Sequence, residues 1–347
     1  MTAFSETLQL MLDDMEAAPP EFRPTNFWST GLPAIIHDIE KLGIEGFRDH
    51  PSATFFYVPV YGSKTLRRYG SWLLPLVDKL PARKRARMMK RLTHSDRAAL
   101  DYRLFRATEV EGGLALDLVS ESEVGAGERF IFDARRYSRS MLNYLRGLNL
   151  YKRHADSAAW QSCLEIGGGY GTLGEILLKA QPEGLYVNVD IPPVAAVSTW
   201  YLQQVFGAEN VLDYAQSRQM SEIDLTEIAT RYKAAVLCPW QLPRVKGQVD
   251  LFVNFMSFQE MEPDVVRNYV RLVQPLIGKN VLMRNSAVGK KVAQKSGEIG
   301  VIDQVKSDFT RACFNQFETL ATDSFVYGET NESGSYQSEV SVMARIS

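Results

Sequence analysis

The sequence predicts an α/β fold, a largely parallel sheet covered by helices on both faces, preceded by a mainly helical region. Three observations carry this expectation. From about Ser162 to the end of the 347 residues, apolar strand-like runs alternate with helical stretches. A glycine-rich segment, CLEIGGGYGTLG (163–174), lies directly between the first of those strands and a helix. Over the first hundred residues, apolar positions recur three and four apart, interrupted by proline and glycine. Two regions follow: 1–135, helical with a small strand region near 104–132, and 136–347, built on the sheet.

Taken in order, SETLQLMLDDMEA (5–17), AIIHDIEKLGIEGF (34–47) and TLRRYGSWLLPLVDKLPARKRARMMKRLT (65–93) read as helices. Between Leu104 and Phe132 the texture changes to alternating runs (LFRATEV, LALDLVS, RFIFD) separated by glycines, which suits a small sheet or hairpin. YSRSMLNYLRGLNLYKRHA (137–155) reads as one amphipathic helix. Five strands follow at 162–167, 185–190, 234–239, 249–255 and 279–284. A helix around 301–317 then leads to two closing strands, DSFVYGE and QSEVSVMARIS. The sheet is thus expected to have seven strands with a hairpin-like finish.

Composition narrows the function classes. With 45% hydrophobic and 23% charged residues the chain is folded and globular. Its formal net charge is −2, and neither half is a polycation, which argues against general duplex nucleic-acid binding. The apolar stretches are shorter than the ~18 residues of a membrane helix, and Glu6, Asp13 and Asp14 are unlike a secretory leader. A cytoplasmic protein without a transmembrane segment is the expectation. Cys163, Cys238 and Cys313 are widely spaced with no CxxC, which predicts reduced thiols rather than disulfides or zinc. No clustered ligands suggest a catalytic metal.

The glycine loop is the strongest functional signal. Glycines let backbone turn sharply and approach a ligand closely, and the helix that follows presents free N–H groups. Two patterns fit. Gly169, Gly171 and Gly174 spell GxGxxG, with Asp190 placed where a dinucleotide ribose acid would sit. Glu165, Gly167, Gly169 and Gly171 spell ExGxGxG, the pattern of S-adenosylmethionine enzymes. Glu165 inside the first strand, the late start of the loop and the closing hairpin favour the methyl donor over a nicotinamide cofactor.

EIGGGYGTLGEILL, NVDIPP, the Trp240-Gln241-Leu242-Pro243 turn and DLFVNFMSFQEM resemble the sugar O-methyltransferases of polysaccharide and glycosylated natural-product pathways. The likeness spans about 135–347. It implies a Rossmann-like class I methyltransferase domain that binds S-adenosylmethionine and methylates a sugar or glycoside hydroxyl, with the helical region shaping the acceptor pocket. In that fold the cofactor crosses the carboxyl ends of the strands. The implied contacts are Glu165, Gly167, Gly168, Gly169, Tyr170 and Gly171 around the methionine moiety, Asp190 on the ribose, Ile191, Trp240 and Gln241 at the adenine, and Asn254 and Phe255 by the methyl group. Each has a structural alternative: Asp190 as a helix cap, Trp240 as core packing, Asn254 as a strand-end cap.

Proton removal from a hydroxyl needs a base. Glu260 in SFQEMEPD is the first candidate, with Gln259 orienting the hydroxyl. The competing role is helix capping by Glu260, Glu262 and Asp264. His37, His50, His94 and His154 all precede the loop, and His154 and His94 are the reserve candidates. The basic run Arg83 to Arg91 reads either as a solvent-facing helix or as a contact for an anionic acceptor or acidic glycolipid. Arg284, with Asn285 and Ser286, is a second acceptor-side candidate. Other readings are a methyltransferase of nitrogen or non-sugar acceptors, an oxidoreductase or an inactive cofactor-binding scaffold; a homo-oligomer is compatible with all of them.

Overall fold

The computed structural model describes residues 3–61, 72, 74–158, 160–295, 297–324 and 338–346. Its strands are β1 (Phe130–Phe132), β2 (Arg135–Tyr137), β3 (Ser162–Ile166), β4 (Leu185–Val189), β5 (Val211–Leu212), β6 (Ile223–Asp224), β7 (Ala234–Leu237), β8 (Val245–Lys246), β9 (Val249–Phe255), β10 (Ile277–Ser286), β11 (Phe317–Asp323) and β12 (Ser338–Arg345). The main sheet runs β11-β12-β10-β9-β3-β4-β7-β5. All its pairings are parallel except those of β12, which is antiparallel to both β10 and β11. The chain leaves β3 towards β4 on one side and later returns to β9 on the other. The order therefore reverses beside β3, and a crevice opens at the carboxyl ends of β3, β4 and β9.

Local sequence accounts for the central elements. Cys163, Leu164 and Ile166 on β3, all of β4, and all of β7 are buried, as expected of strands covered on both faces. The helix Arg139–His154 starts at Ser138, whose side chain accepts a hydrogen bond from the Met141 N–H, and ends in Lys152, Arg153 and His154 at the negative end of its dipole. It runs deep in the molecule, with Met141, Leu145 and Leu148 fully buried.

Several expectations are corrected. The sheet has eight strands because Val211–Leu212 adds to β7; two residues are too few to show a period. The sixth expected strand begins earlier, at Phe317–Asp323, and most of DSFVYGE lies outside the described residues. The preceding helix is only Ser307–Cys313, and Val301 instead bridges Val292. LFRATEV is not a strand: its first five residues complete the helix Ser95–Thr108, where Ala98, Tyr102 and Phe105 form a buried stripe at helical spacing. LALDLVS folds around a short 3₁₀ turn, Leu116–Leu118. In the 104–132 stretch only Phe130–Phe132 is a strand, paired with Arg135–Tyr137. The helix expected over 34–47 starts earlier and spans Asn26–Leu42. Of the run 65–93, positions 65–71 and 73 lie outside the described residues, and Ala82–Thr93 is helical.

The N-terminal helices are not a separate body. One buried apolar cluster joins Leu8, Met11, Ile35 and Phe47 to Tyr137, Leu145, Tyr170, Tyr201 and Val342. Phe47 is the pivot, its ring centroid 5.4 Å from Tyr170 and 6.1 Å from both Trp200 and Tyr201.

Candidate active site

The crevice is a cavity of about 240 Å³ roofed by the N-terminal segment. Its floor is the loop after β3. Gly167, Gly169 and Gly171 adopt φ of 71°, 58° and 98°, conformations in which a β-carbon is strained. Gly167 and its neighbour Gly168 also need the space. A Cβ on Gly167 would meet Ser257 Oγ at 2.1 Å, and one on Gly168, whose φ is ordinary, would strike Asn188, Glu165 and Tyr186 at 2.6 Å. At Gly169 the nearest atom would be the Tyr57 carbonyl at 3.5 Å, an ordinary van der Waals contact that displaces nothing. The loop is pinned by the Gly167 N–H donating to Val189 O (2.8 Å) and the Gly168 N–H donating to Asn188 Oδ1 (3.1 Å). Gly171 then caps the helix Thr172–Ala180.

Asp190, beyond the end of β4, lines the cavity and is 7% exposed. Its Oδ2 accepts the Gly169 N–H at 2.9 Å and its Oδ1 accepts the Ile191 N–H at 2.8 Å. Burial dominates those two bonds and pushes its pKa up to about 7, with the Glu260 charge acting in the same direction. Asp190 does not cap the helix Val194–Phe206, whose N-cap residue is Pro193. Glu165 stands behind the loop, fully buried and outside the cavity lining, accepting hydrogen bonds from Tyr186 OH (2.5 Å) and Tyr144 OH (2.8 Å). Burial outweighs the two hydroxyls and raises it to about 8.

Glu260 lies in a 3₁₀ turn, Phe258–Glu260, after β9 and lines the same cavity. Lys290 Nζ pairs with its Oε1 at 2.8 Å, and the Trp28 side chain also bonds to it. Burial raises the Glu260 pKa above the ordinary carboxylate range, while Lys290 and Trp28 pull it back. It caps nothing: the helix Pro263–Val273 has Glu262 at its N-cap, with no side-chain cap bond.

The other expected contacts divide. Gly167, Gly168, Gly169, Tyr170, Ile191 and Phe255 line the cavity with Asp190 and Glu260. Phe255 stacks on Tyr144 at 4.7 Å and 11°. Trp240 and Gln241 do not reach it. The Trp240 indole donates to Tyr214 OH (2.9 Å); Gln241 is fully buried, accepting the Cys238 N–H (2.7 Å) and donating to Ser217 Oγ (3.0 Å). Pro239 lines the cavity in their place. Asn254 is a strand-end clamp, donating to Ile166 O (2.9 Å) and accepting from the Phe258 N–H (3.1 Å). Gln259 Oε1 is taken by the Ser286 N–H at 2.6 Å, so its amide braces β10. Arg284 lines the cavity; Asn285 and Ser286 instead brace Asn254 and Gln259.

Residues that the strand-end reasoning missed come from other parts of the chain. Thr25, Trp28, Phe56 and Tyr57 form the roof, Ser140, Asn143 and Tyr144 come from the helix before β3, and Lys290 from the segment after β10. No local pattern marks them; Lys290 lies thirty positions beyond Glu260. None of the four histidines lines the cavity: His37 and His154 are exposed, His94 is half-buried and His50 is buried. Among the described residues, no group of three or more His, Cys, Asp or Glu side chains is placed to hold a metal ion.

The strand order, the glycine turn after β3 and the antiparallel β12 set between β10 and β11 define the class I methyltransferase fold. No family model matches the chain, and no curated protein does. Among solved structures it is similar to magnesium protoporphyrin IX methyltransferase from Synechocystis PCC 6803 with bound SAH, at 16% identity over 54% of this chain and 74% of that one, TM-score 0.36. It is also similar to the mitomycin 7-O-methyltransferase (13%, 59% and 57%, TM-score 0.36) and to the PH0226 protein from Pyrococcus horikoshii OT3 (13%, 60% and 91%, TM-score 0.39).

Proposed function

We propose that this chain is an S-adenosylmethionine-dependent O-methyltransferase whose acceptor is a sugar or glycoside hydroxyl. The observation that carries the reading is the pairing of two buried carboxyls, Asp190 and Glu260, across one cavity floored by the glycine loop. The donor set fits the cofactor. Each Asp190 oxygen already takes one backbone N–H and keeps a lone pair for a ribose hydroxyl. Gly169 leaves room for a ligand at the loop, and the Phe255 ring is suited to lie beside a sulfonium cation. Bound there, S-adenosylmethionine would supply an electrophilic methyl group.

The protein's part is alignment and proton removal. Trp28 and Phe56, ring centroids 5.8 Å apart and tilted by 36°, offer an aromatic wall suited to the apolar face of a sugar ring, and the N-terminal region that carries them shapes the acceptor side. Glu260 then takes the acceptor hydroxyl proton, its basicity raised by burial, and Lys290 holds the carboxylate in place. Radiolabelled methyl transfer from S-adenosylmethionine, measured against a panel of monosaccharides, nucleotide sugars and glycosides alongside planar phenolic and amine acceptors, tests this. Transfer to a sugar hydroxyl is expected. Transfer only to phenols or amines overturns the acceptor, and failure to bind S-adenosylhomocysteine overturns the whole reading.

A further inference from the structure

Away from the cavity, the helix Ala82–Thr93 stands almost wholly in solvent. Every residue from Pro81 to Met88 is exposed, and so is Lys90. In a globular protein a helix normally buries its apolar stripe. Here, at 100° per residue, Arg83, Lys84, Arg87 and Lys90 share one side, while the other carries Ala82, Ala86, Met88 and Met89 with Arg85 among them. On that side Met88 is exposed, while Met89 and Leu92 are half-buried. Just before it, Trp72 (67% exposed), Leu74 and Leu76 are exposed as well. Between Asp78 and Asp96 the sequence holds Lys79, Arg83, Lys84, Arg85, Arg87, Lys90 and Arg91 and no acidic residue. In a chain of net charge −2, this is a local field of opposite sign.

We propose that this segment docks the protein on a membrane surface rich in anionic lipid, with the basic side chains on the headgroups and Trp72, Leu74, Leu76 and Met88 in the interfacial layer. The charge and the apolar groups together select this occupant. An interfacial helix combines a Lys/Arg face with Trp, Leu or Met on the other, and anionic headgroups attract each basic side chain. A nucleic-acid backbone would satisfy the charge but leave Leu74, Leu76 and Met88 without cover. A second copy of this segment would bring two positive faces together. Among the described residues no helix is long and apolar enough to cross a membrane, so the contact is peripheral. The segment lies between two site-linked elements in sequence: Tyr57 and Pro59 line the cavity before it, and the helix Ser95–Thr108 packs on the Arg139–His154 helix after it. This inference does not depend on the methyl-transfer reading.

The test is co-sedimentation of the full chain with vesicles of phosphatidylcholine alone and of phosphatidylcholine mixed with phosphatidylglycerol. Binding only to the mixed vesicles, weakened by salt, is expected. The triple variant Arg83→Glu, Lys84→Glu, Arg87→Glu should lose at least about tenfold in vesicle affinity, and Leu74→Ser with Leu76→Ser should also weaken it. Both sets lie on exposed surface, so melting temperature and S-adenosylhomocysteine affinity should stay unchanged. If charge reversal disturbs folding, glutamine at the same three positions replaces it. No pelleting with phosphatidylglycerol, equal pelleting of wild type and both variants, or binding to an oligonucleotide without vesicle binding would each overturn the proposal.

Discussion

Asp190 carries its proton to about pH 7 because burial outweighs two backbone hydrogen bonds. A ligand that donates hydroxyls to it favours the anion, so binding releases a proton below that pH. S-adenosylhomocysteine affinity should rise with pH up to about 7 and level off above. Asp190→Asn should bind about 10–100-fold more weakly, the loss of charge-assisted bonds, with the pH dependence flattened; calorimetry in two buffers of different ionisation enthalpy measures both. Glu260 and Lys290 form the second residue-scale device. Glu260→Gln should leave S-adenosylhomocysteine affinity nearly intact and lower single-turnover transfer by about 10²–10⁴-fold. Lys290→Met removes the cation that opposes the raised pKa, so the acid limb of the rate profile should move to higher pH. An unmoved limb would separate Lys290 from the proton acceptor.

At the scale of elements, the loop after β3 and the strand ends work as one unit. Gly167 and Gly169 share a positive φ but not a neighbourhood, and this separates folding from binding. Gly167→Ala combines backbone strain with a collision on Ser257, and should destabilise the protein by about 1–3 kcal/mol. Gly169→Ala meets nothing closer than 3.5 Å; it should destabilise by about 1 kcal/mol through its backbone alone, while its methyl enters the ligand space and weakens S-adenosylhomocysteine binding. Thermal melts and calorimetry on the two variants should rank them in opposite orders. The loop was legible in the sequence because glycine spacing is local. The edge strand Val211–Leu212 was not, since two residues have no period. The run 104–132 misled because its alternation belongs partly to a helix whose buried stripe, Ala98, Tyr102 and Phe105, begins upstream.

Across the whole molecule, the N-terminal helices and the sheet share one core, so the site's roof and floor should unfold together. Phe47→Ala should destabilise by about 3–5 kcal/mol and retain a single transition, because its ring meets Tyr57, Tyr170, Trp200 and Tyr201. The buried acids set a pH dependence for the same unfolding. Glu165, raised to about 8, holds more protons folded than unfolded, so its contribution is fully present below its ordinary pKa near 4.5 and is lost as pH rises to about 8. Denaturant melts of wild type and Glu165→Gln at pH 5 and pH 8 should therefore show the variant gaining on the wild type at the higher pH. An equal difference at both values would place the proton elsewhere.

What the sequence determined by itself is what short-range order encodes: the alternation of apolar strands and helices, the turn at Gly167 to Gly171, the acid Asp190 one step past a buried strand, and Glu260 after β9. Only the tertiary structure decided which strand-end side chains face the cavity. Trp240 and Gln241 look like ligand contacts in sequence, yet their donors and acceptors are taken by Tyr214, Cys238 and Ser217. Trp28, Tyr57, Tyr144 and Lys290 bear no local mark, yet they complete the lining. The physical reason is that a side chain's partners are set by long-range packing, which brings Trp28 and Lys290 to Glu260 across more than two hundred residues on one side and thirty on the other.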